Sequence, residues 1–182
     1  MTQYLRQLIS LLTATALGGL ILLGIGFQAM PALAAIRQLE EAPGQVVYQS
    51  RQTLTDQSGQ RWQAIAFKRT HPDGKEQVHL RLVGFPGTAA INRSQPLTLT
   101  SSLGQTFTAA DTSSEIFTND AKPEPHVGQY DIQPVVAQLR PELTWHLTLA
   151  TTTQPLTLAV PPATIQEWQA IAQSQLDSPY SP

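Results

Sequence analysis

Apolar residues fall on alternate positions in two neighbouring stretches, 62–69 and 77–84, and this alternation is the strongest structural signal in the chain. A period of two marks a strand with one buried face. Between the stretches, Pro72 sets φ, Asp73 tolerates a turn position and Gly74 supplies a positive φ. A loop over Pro72, Asp73 and Gly74 pairs Lys68 with Val78, Ala66 with Leu80, Ala64 with Leu82 and Trp62 with Gly84. The even face then carries Trp62, Ala64, Ala66, Val78, Leu80 and Leu82 and is expected to meet the core, with Trp62 covering the gap at Gly84. The odd face, with Ile65, Phe67, Arg69, His79, Arg81 and Val83, is mixed and is expected to be half exposed or covered by a loop. A loop one residue longer would place the apolar residues of the two arms on opposite faces, so the pattern requires an odd-length loop.

The rest of the chain reads as further short strands. Residues 45–51 form one, continued by 53–55, and 56–59 form a turn. Gly84-Phe85-Pro86-Gly87 stops the hairpin, because Pro86 cannot donate to a ladder, and this stop could expose Phe85. Strands are expected at 96–100, 105–109, 143–149 and 155–160, the last two as a second hairpin. Residues 111–127 read as a polar loop with one short extended piece at 115–118. Two segments switch period. Ile132, Val135, Val136 and Leu139 have helical spacing, with Asp131 as cap, Pro134 in the first turn and Pro141 as the stop. Thr164-Ile165-Gln166-Glu167 has the form of a capping box opening a last helix, with Ile165, Trp168, Ile171 and Ala172 on one face. The expected fold class is mainly β (α+β): an antiparallel β-sandwich or partly closed barrel of about eight short strands with two short helices.

The N-terminal part differs in kind. Arg6 is the sole charged side chain before Arg37, and 8–27 is almost wholly apolar or small. Ala32 and Ala34 place small residues where a signal peptidase reads them. Residues 1–34 are therefore expected to be a secretory signal peptide cleaved after Ala34. The apolar run approaches the ~20 residues that span a bilayer, so an uncleaved anchor is the alternative, and the sole expected membrane contact of the chain itself. No twin arginine precedes the run, which points to the general secretory route. Residues 35–44 read as an extended lead-in, 45–173 as a single β-rich domain and 174–182 as a disordered tail. The chain has no cysteine, which excludes a lipoprotein anchor, disulfides and thiol chemistry.

Charge changes the picture more than composition does. Beyond residue 34 there are ten basic and thirteen acidic residues, a net of −3, with no sign of nucleic-acid binding. Yet 51–93 holds seven basic residues against three acidic, and 101–131 holds five acidic against one basic. Either the two halves complement each other within the fold, or a basic face is turned toward an acidic partner or anionic headgroups.

Motifs for chemistry are missing. His71, His79, His126 and His146 show no His-Glu-x-x-His spacing, and a surface or packing role is the expectation for each. Asp111, Glu115, Asp120 and Glu124 lack the spacing and glycine of a calcium loop. There is no Gly-x-Ser-x-Gly elbow, Gly-x-Gly-x-x-Gly or phosphate loop, and Asn92-Arg93-Ser94 is a formal sequon only. No cofactor, metal or catalytic residue is expected, although paired carboxylates need only proximity in space. Trp62, Trp145 and Trp168 are expected in the core, and a pocket lined by Trp62, Phe67 and Trp145 would suit a small apolar ligand.

Several blocks taken together carry a resemblance: 49–54, 62–69, Pro72-Asp73-Gly74, 80–87 and 127–131. In order and content they resemble a cyanobacterial family of exported proteins catalogued as a domain of unknown function, over 35–171. The resemblance implies a periplasmic or thylakoid-lumen setting and supplies no catalytic residues. The expected function is an exported, non-enzymatic accessory or interaction protein with a protein partner at the membrane surface, which in a cyanobacterium would be a photosynthetic membrane complex. The alternative is a lipocalin-like binder of small apolar ligands. The candidate partner surface is Phe67, Lys68, Arg69, His79, Arg81 and Phe85.

Overall fold

A computed structural model describes residues 37–42, 45–70, 75–117 and 124–174. The sequence hairpin is its centre. β3 (Arg61–Thr70) and β4 (Glu76–Val83) pair antiparallel with Lys68 opposite Val78, Ala66 opposite Leu80 and Ala64 opposite Leu82, the register that the alternation predicts. The connecting turn at 71–74 lies outside the described residues. Trp62, Ala64, Ala66, Val78, Leu80 and Leu82 are all buried, so the even face is the core face. Trp62 packs against the bare backbone of Gly84: a Cβ there would lie 2.9 Å from the indole Cη2.

Around this hairpin the strands form one antiparallel nine-stranded sheet, ordered β1-β2-β3-β4-β7-β6-β5-β8-β9. β2 (Gln45–Thr55) is a single long strand that includes both expected pieces. β1 (Arg37–Ala42) lies within the segment read as a lead-in and pairs with β2, and neither it nor the strand at Val127–Asp131 is among the expected eight. β5 (Leu97–Ser101) and β7 (Val127–Asp131) flank β6 (Thr106–Asp111), while β8 (Trp145–Leu149) and β9 (Leu156–Val160) form the second hairpin. β6 is the corner. Its first part, Thr106 to Ala109, pairs with β5, and its last two residues, Ala110 and Asp111, pair with β7. The sheet thus folds over on itself as an open sandwich or barrel.

The far edge approaches closure without reaching it. One isolated bridge joins Asp56 to Leu158. The Gln57 side chain extends it, accepting from Thr157 N at 2.7 Å and donating to Pro155 O at 3.2 Å. A side-chain amide here imitates the donor and acceptor of a neighbouring strand.

Two helices complete the core. α1 (Gln133–Val136) is shorter than the spacing suggests, yet Ile132, Val135, Val136 and Leu139 are buried as that spacing requires. Asp131 Oδ1 accepts from Gln133 N at 3.0 Å. α2 (Pro162–Gln173) begins two residues before the expected Thr164, with no side-chain cap. Pro161 is extended and Pro162 takes the first helical position, where its missing N–H costs nothing. The capping box therefore does not form. Glu167 instead accepts from Ser50 Oγ at 2.5 Å and Gln52 Nε2 at 2.8 Å, tying α2 to β2. Gln169 Nε2 donates to Leu139 O at 2.6 Å and ties α2 to the turn that follows α1. The expected extended piece at 115–118 is also corrected. Residues 113–115 form a 3-10 turn, because Asp111 Oδ1 accepts from Ser113 N at 3.0 Å and bends the chain before a strand can start.

All these elements belong to one compact unit, residues 34–182. The expected signal peptide and the tail from 175 lie outside the described residues. Among the described residues no helix is long and apolar enough to cross a membrane.

Candidate functional site

The core consumes the even face of the hairpin, so any chemistry offered by β2–β4 must come from the odd face. Two cross-strand rows organise that face. One runs Phe67, His79, Asp131 over β3, β4 and β7, and the next runs Arg51, Ile65, Arg81, Gln129 from β2 to β7. Phe67 is the floor of the first row. Arg69 and Arg81 lie over its ring, with their guanidinium carbons 5.6 and 5.1 Å from the centroid, and the His79 ring is 5.4 Å away. Such contacts hold a guanidinium in place and contribute about 0.5–1 kcal/mol each where exposed.

Gln129, fully buried, holds the second row together. Its Oε1 accepts from Arg81 Nη2 at 2.7 Å and Nε at 3.2 Å, a fork closed on one oxygen. Its Nε2 donates to Glu115 Oε2 at 3.2 Å, and its backbone N–H donates to Ser113 Oγ at 2.9 Å. Glu115 Oε2 also lies 3.7 Å from His79 Nε2. The acidic segment thus folds back onto the basic hairpin. Arg93 joins the same pattern: its Nη2 donates to Glu124 O and Val127 O, and its guanidinium lies 5.2 Å from the centre of the Phe117 ring.

The six candidate residues separate into four groups. Arg69 and Arg81 are half-buried at the rim of the odd face. Phe67 and His79 are buried, at 4 % and 0 % exposure, so they support the surface without forming it. Lys68 is corrected outright. Its even position turns it inward, where it is 4 % exposed, pairs with Glu76 at 2.6 Å and donates to Ser174 O at 2.6 Å and Ala172 O at 3.2 Å at the end of α2. Phe85 lies beyond the end of β4 and is 58 % exposed, as the Gly-Phe-Pro-Gly stop suggests. It edges a shallow recess of about 160 Å³ shared with Thr53, Arg61, Trp62 and Gln63.

Reading the sequence misses Gln129, Glu115, Arg51 and Arg61. For the arginines a signal was present, since both occupy odd positions of strands adjoining or forming the hairpin. For Gln129 there was none, because its role depends on β7 lying beside β4. The expected pocket of Trp62, Phe67 and Trp145 does not form, since Phe67 is on the opposite side of the sheet from Trp62. Trp62, Trp145 and Trp168 are each fully buried and fill the interior. His71 lies outside the described residues, and His126 is buried beside Glu124.

Glu115, His79 and Thr112 have the composition of an acid–base–hydroxyl relay. Their separations, 3.7 and 3.4 Å, exceed the 2.6–3.2 Å of a working nucleophile–base contact. His79 is also sealed from solvent, so a substrate could not reach it. Among the described residues no three His, Cys, Asp or Glu side chains come together as a metal-binding group.

Residues 34–171 match the family described as "Protein of unknown function (DUF3122)". The chain belongs to that family. No curated protein and no solved structure matches it significantly. In this DUF3122 chain the match runs from the unit's first residues to Ile171 on the buried face of α2, so it spans every strand of the sheet.

On the inner side of β7, Tyr130 is 1 % exposed and opposite Asp111. Burial raises its hydroxyl pKa well above the ordinary value; the Asp111 carboxylate adds to this and Arg93 opposes it. Below about pH 10 the hydroxyl is neutral in both folded and unfolded chains, and its full contribution is present. As the pH rises further, the unfolded chain loses the proton first and stability falls. Tyr130→Phe is expected to remove this alkaline component. Urea midpoints compared at about pH 8 and pH 11 should drop less in the variant than in the parent, and equal drops would refute the assignment.

Proposed function

We propose that this chain is an exported, non-enzymatic accessory protein that binds a protein partner at a membrane surface through the outer face of β2–β4. The compartment is the periplasm or thylakoid lumen, and in a cyanobacterial host the partner is a photosynthetic membrane complex. The observation that carries the proposal is the build of the outer face. Arg69 and Arg81 are ordered at its rim by Phe67, and Arg81 also by buried Gln129, while His79 is sealed beneath. Fixed polar side chains on rigid strands lower the entropy lost on docking. The test is affinity capture from host membranes in mild detergent, followed by reciprocal capture with the recovered partner as bait. The same protein should appear in both directions. No partner above background in either direction would remove the proposal.

A further inference from the structure

We infer that the recess beside Phe85 binds the C-terminal residue of a protein partner, with Arg61 holding its carboxylate and Phe85 packing on its apolar side chain. The inference rests on the partner-binding function proposed above and names the group of the partner that is recognised. Its basis is an unpaired cation beside a fixed, exposed aromatic ring. β3 and β4 pair with Gln63 opposite Val83, and two residues further along this register stand Arg61 and Phe85. Both line the recess of about 160 Å³, with Thr53, Trp62 and Gln63, and no carboxylate lines it. Arg61 is exposed, and among the described residues its guanidinium makes no hydrogen bond or ion pair.

Phe85 is exposed, yet its backbone is held on both sides. Gly84 N donates to His126 O at 2.9 Å, and Phe85 O accepts from Thr88 N at 3.0 Å and also from Thr88 Oγ1. Gly87, with φ 84°, closes the turn. A ring on a backbone fixed in this way loses little entropy when a ligand packs on it. Thr53 adds a donor. Its Oγ1 accepts from Gln63 Nε2 at 2.9 Å, which leaves its own hydroxyl proton for a carboxylate oxygen.

The lining selects the chemistry of the ligand. A guanidinium fork and a hydroxyl donor match one carboxylate, and the phenyl face matches one apolar group. A space of about 150 Å³ is filled by one benzene-sized group, so the carboxylate and the apolar part must belong to a single residue. Within a polypeptide, acidic and apolar side chains sit on different residues. The last residue of a chain differs, since it carries a carboxylate and an apolar side chain on one Cα. An aromatic or branched aliphatic C-terminus is therefore the partner group that fits. Capture of a terminal carboxylate is a recurring mode of peptide recognition.

The experiment uses the full chain, with N-acetyl-L-phenylalanine as the probe and its uncharged amide, N-acetyl-L-phenylalaninamide, as the comparison. Backbone amide shifts at Thr53, Gln63 and Gly84 report binding. The acid should bind about fivefold more tightly than the amide. Arg61→Gln should weaken the acid about fivefold and change the amide by less than about twofold, whereas Phe85→Ala should weaken both about fivefold. Both side chains are exposed, so these changes leave the core intact, and unfolding midpoints check this. Arg51→Gln, an exposed charge on the same face but outside the recess, should change the affinity for the acid less than about twofold. Equal affinity for acid and amide would overturn the inference, as would a loss from Arg51→Gln equal to that from Arg61→Gln. In capture from host membranes, Arg61→Gln/Phe85→Ala should lower partner recovery about tenfold. Undiminished recovery would defeat the assignment to the partner's terminus and leave the accessory function standing. Binding of the probe by a parent chain that captures no partner would remove the accessory function and leave the recess as a carboxylate site.

Discussion

Trp62→Ala is expected to lower the unfolding free energy by about 3–5 kcal/mol, the range for removing a buried aromatic side chain. Trp62 is fully buried and carries a second duty. Its Nε1 donates to Asp56 Oδ2 at 3.2 Å, while Asp56 Oδ1 accepts from Ser58 N at 2.8 Å and Gln60 N at 2.9 Å. Asp56 also makes an isolated bridge to Leu158 of β9. The truncation therefore opens a cavity against Gly84 and withdraws a donor from a carboxylate that is 7 % exposed. Gly84→Ala attacks the same contact from the other side. Its new Cβ would meet the Trp62 ring at 2.9 Å, and overpacking of this kind costs about 1–3 kcal/mol. The two changes should be less than additive, because the added methyl occupies space that the lost indole vacates. Urea denaturation of the two single variants and the double variant measures all three quantities. A loss below about 1 kcal/mol for Trp62→Ala would mean the ring is not the anchor of this end of the sheet.

What can be read from this sequence divides along the range of the interactions. The β3–β4 register is legible because it is local: one odd-length turn and one alternation fix which residues oppose which, and a slip would expose Leu80 and Leu82. The buried stripe of α2 is legible for the same reason. Trp168 and Ile171 follow from Ile165 by helical spacing, whatever they pack against. The start of α2 is not, because Thr164 and Glu167 satisfy a local motif that the prolines at 161 and 162 pre-empt. Glu167 is then drawn to Ser50 and Gln52, more than a hundred residues away in sequence. The outer face shows the same division. Its arginines could be placed by parity, but Gln129 and Glu115 could not, because their positions depend on β7 pairing with β4 across an intervening β5–β6 hairpin.

Lys68 carries the second large effect, and it shows parity overruling residue type. As a charged residue beside Arg69 it reads as surface, yet its even position puts it among Ala66 and Val78. A buried ammonium persists only with partners. Here it has three: the Glu76 carboxylate and the carbonyls of Ala172 and Ser174. The last two lie at the C-terminal end of α2, the negative end of the helix dipole, so the ammonium caps the helix while it pairs with β4. Lys68→Ala is expected to cost about 2–3 kcal/mol, the upper range for hydrogen bonds to a charged group. Glu76 is partly exposed, so water can take over its share of the loss. The two helix carbonyls are held against the sheet, and their loss is expected to loosen the last turn of α2. Hydrogen exchange should locate the effect, with amides at 170–174 accelerating more than those of β5 and β8. If protection at 170–174 is unchanged while global stability drops, the ammonium acts only through Glu76 and the capping role is wrong.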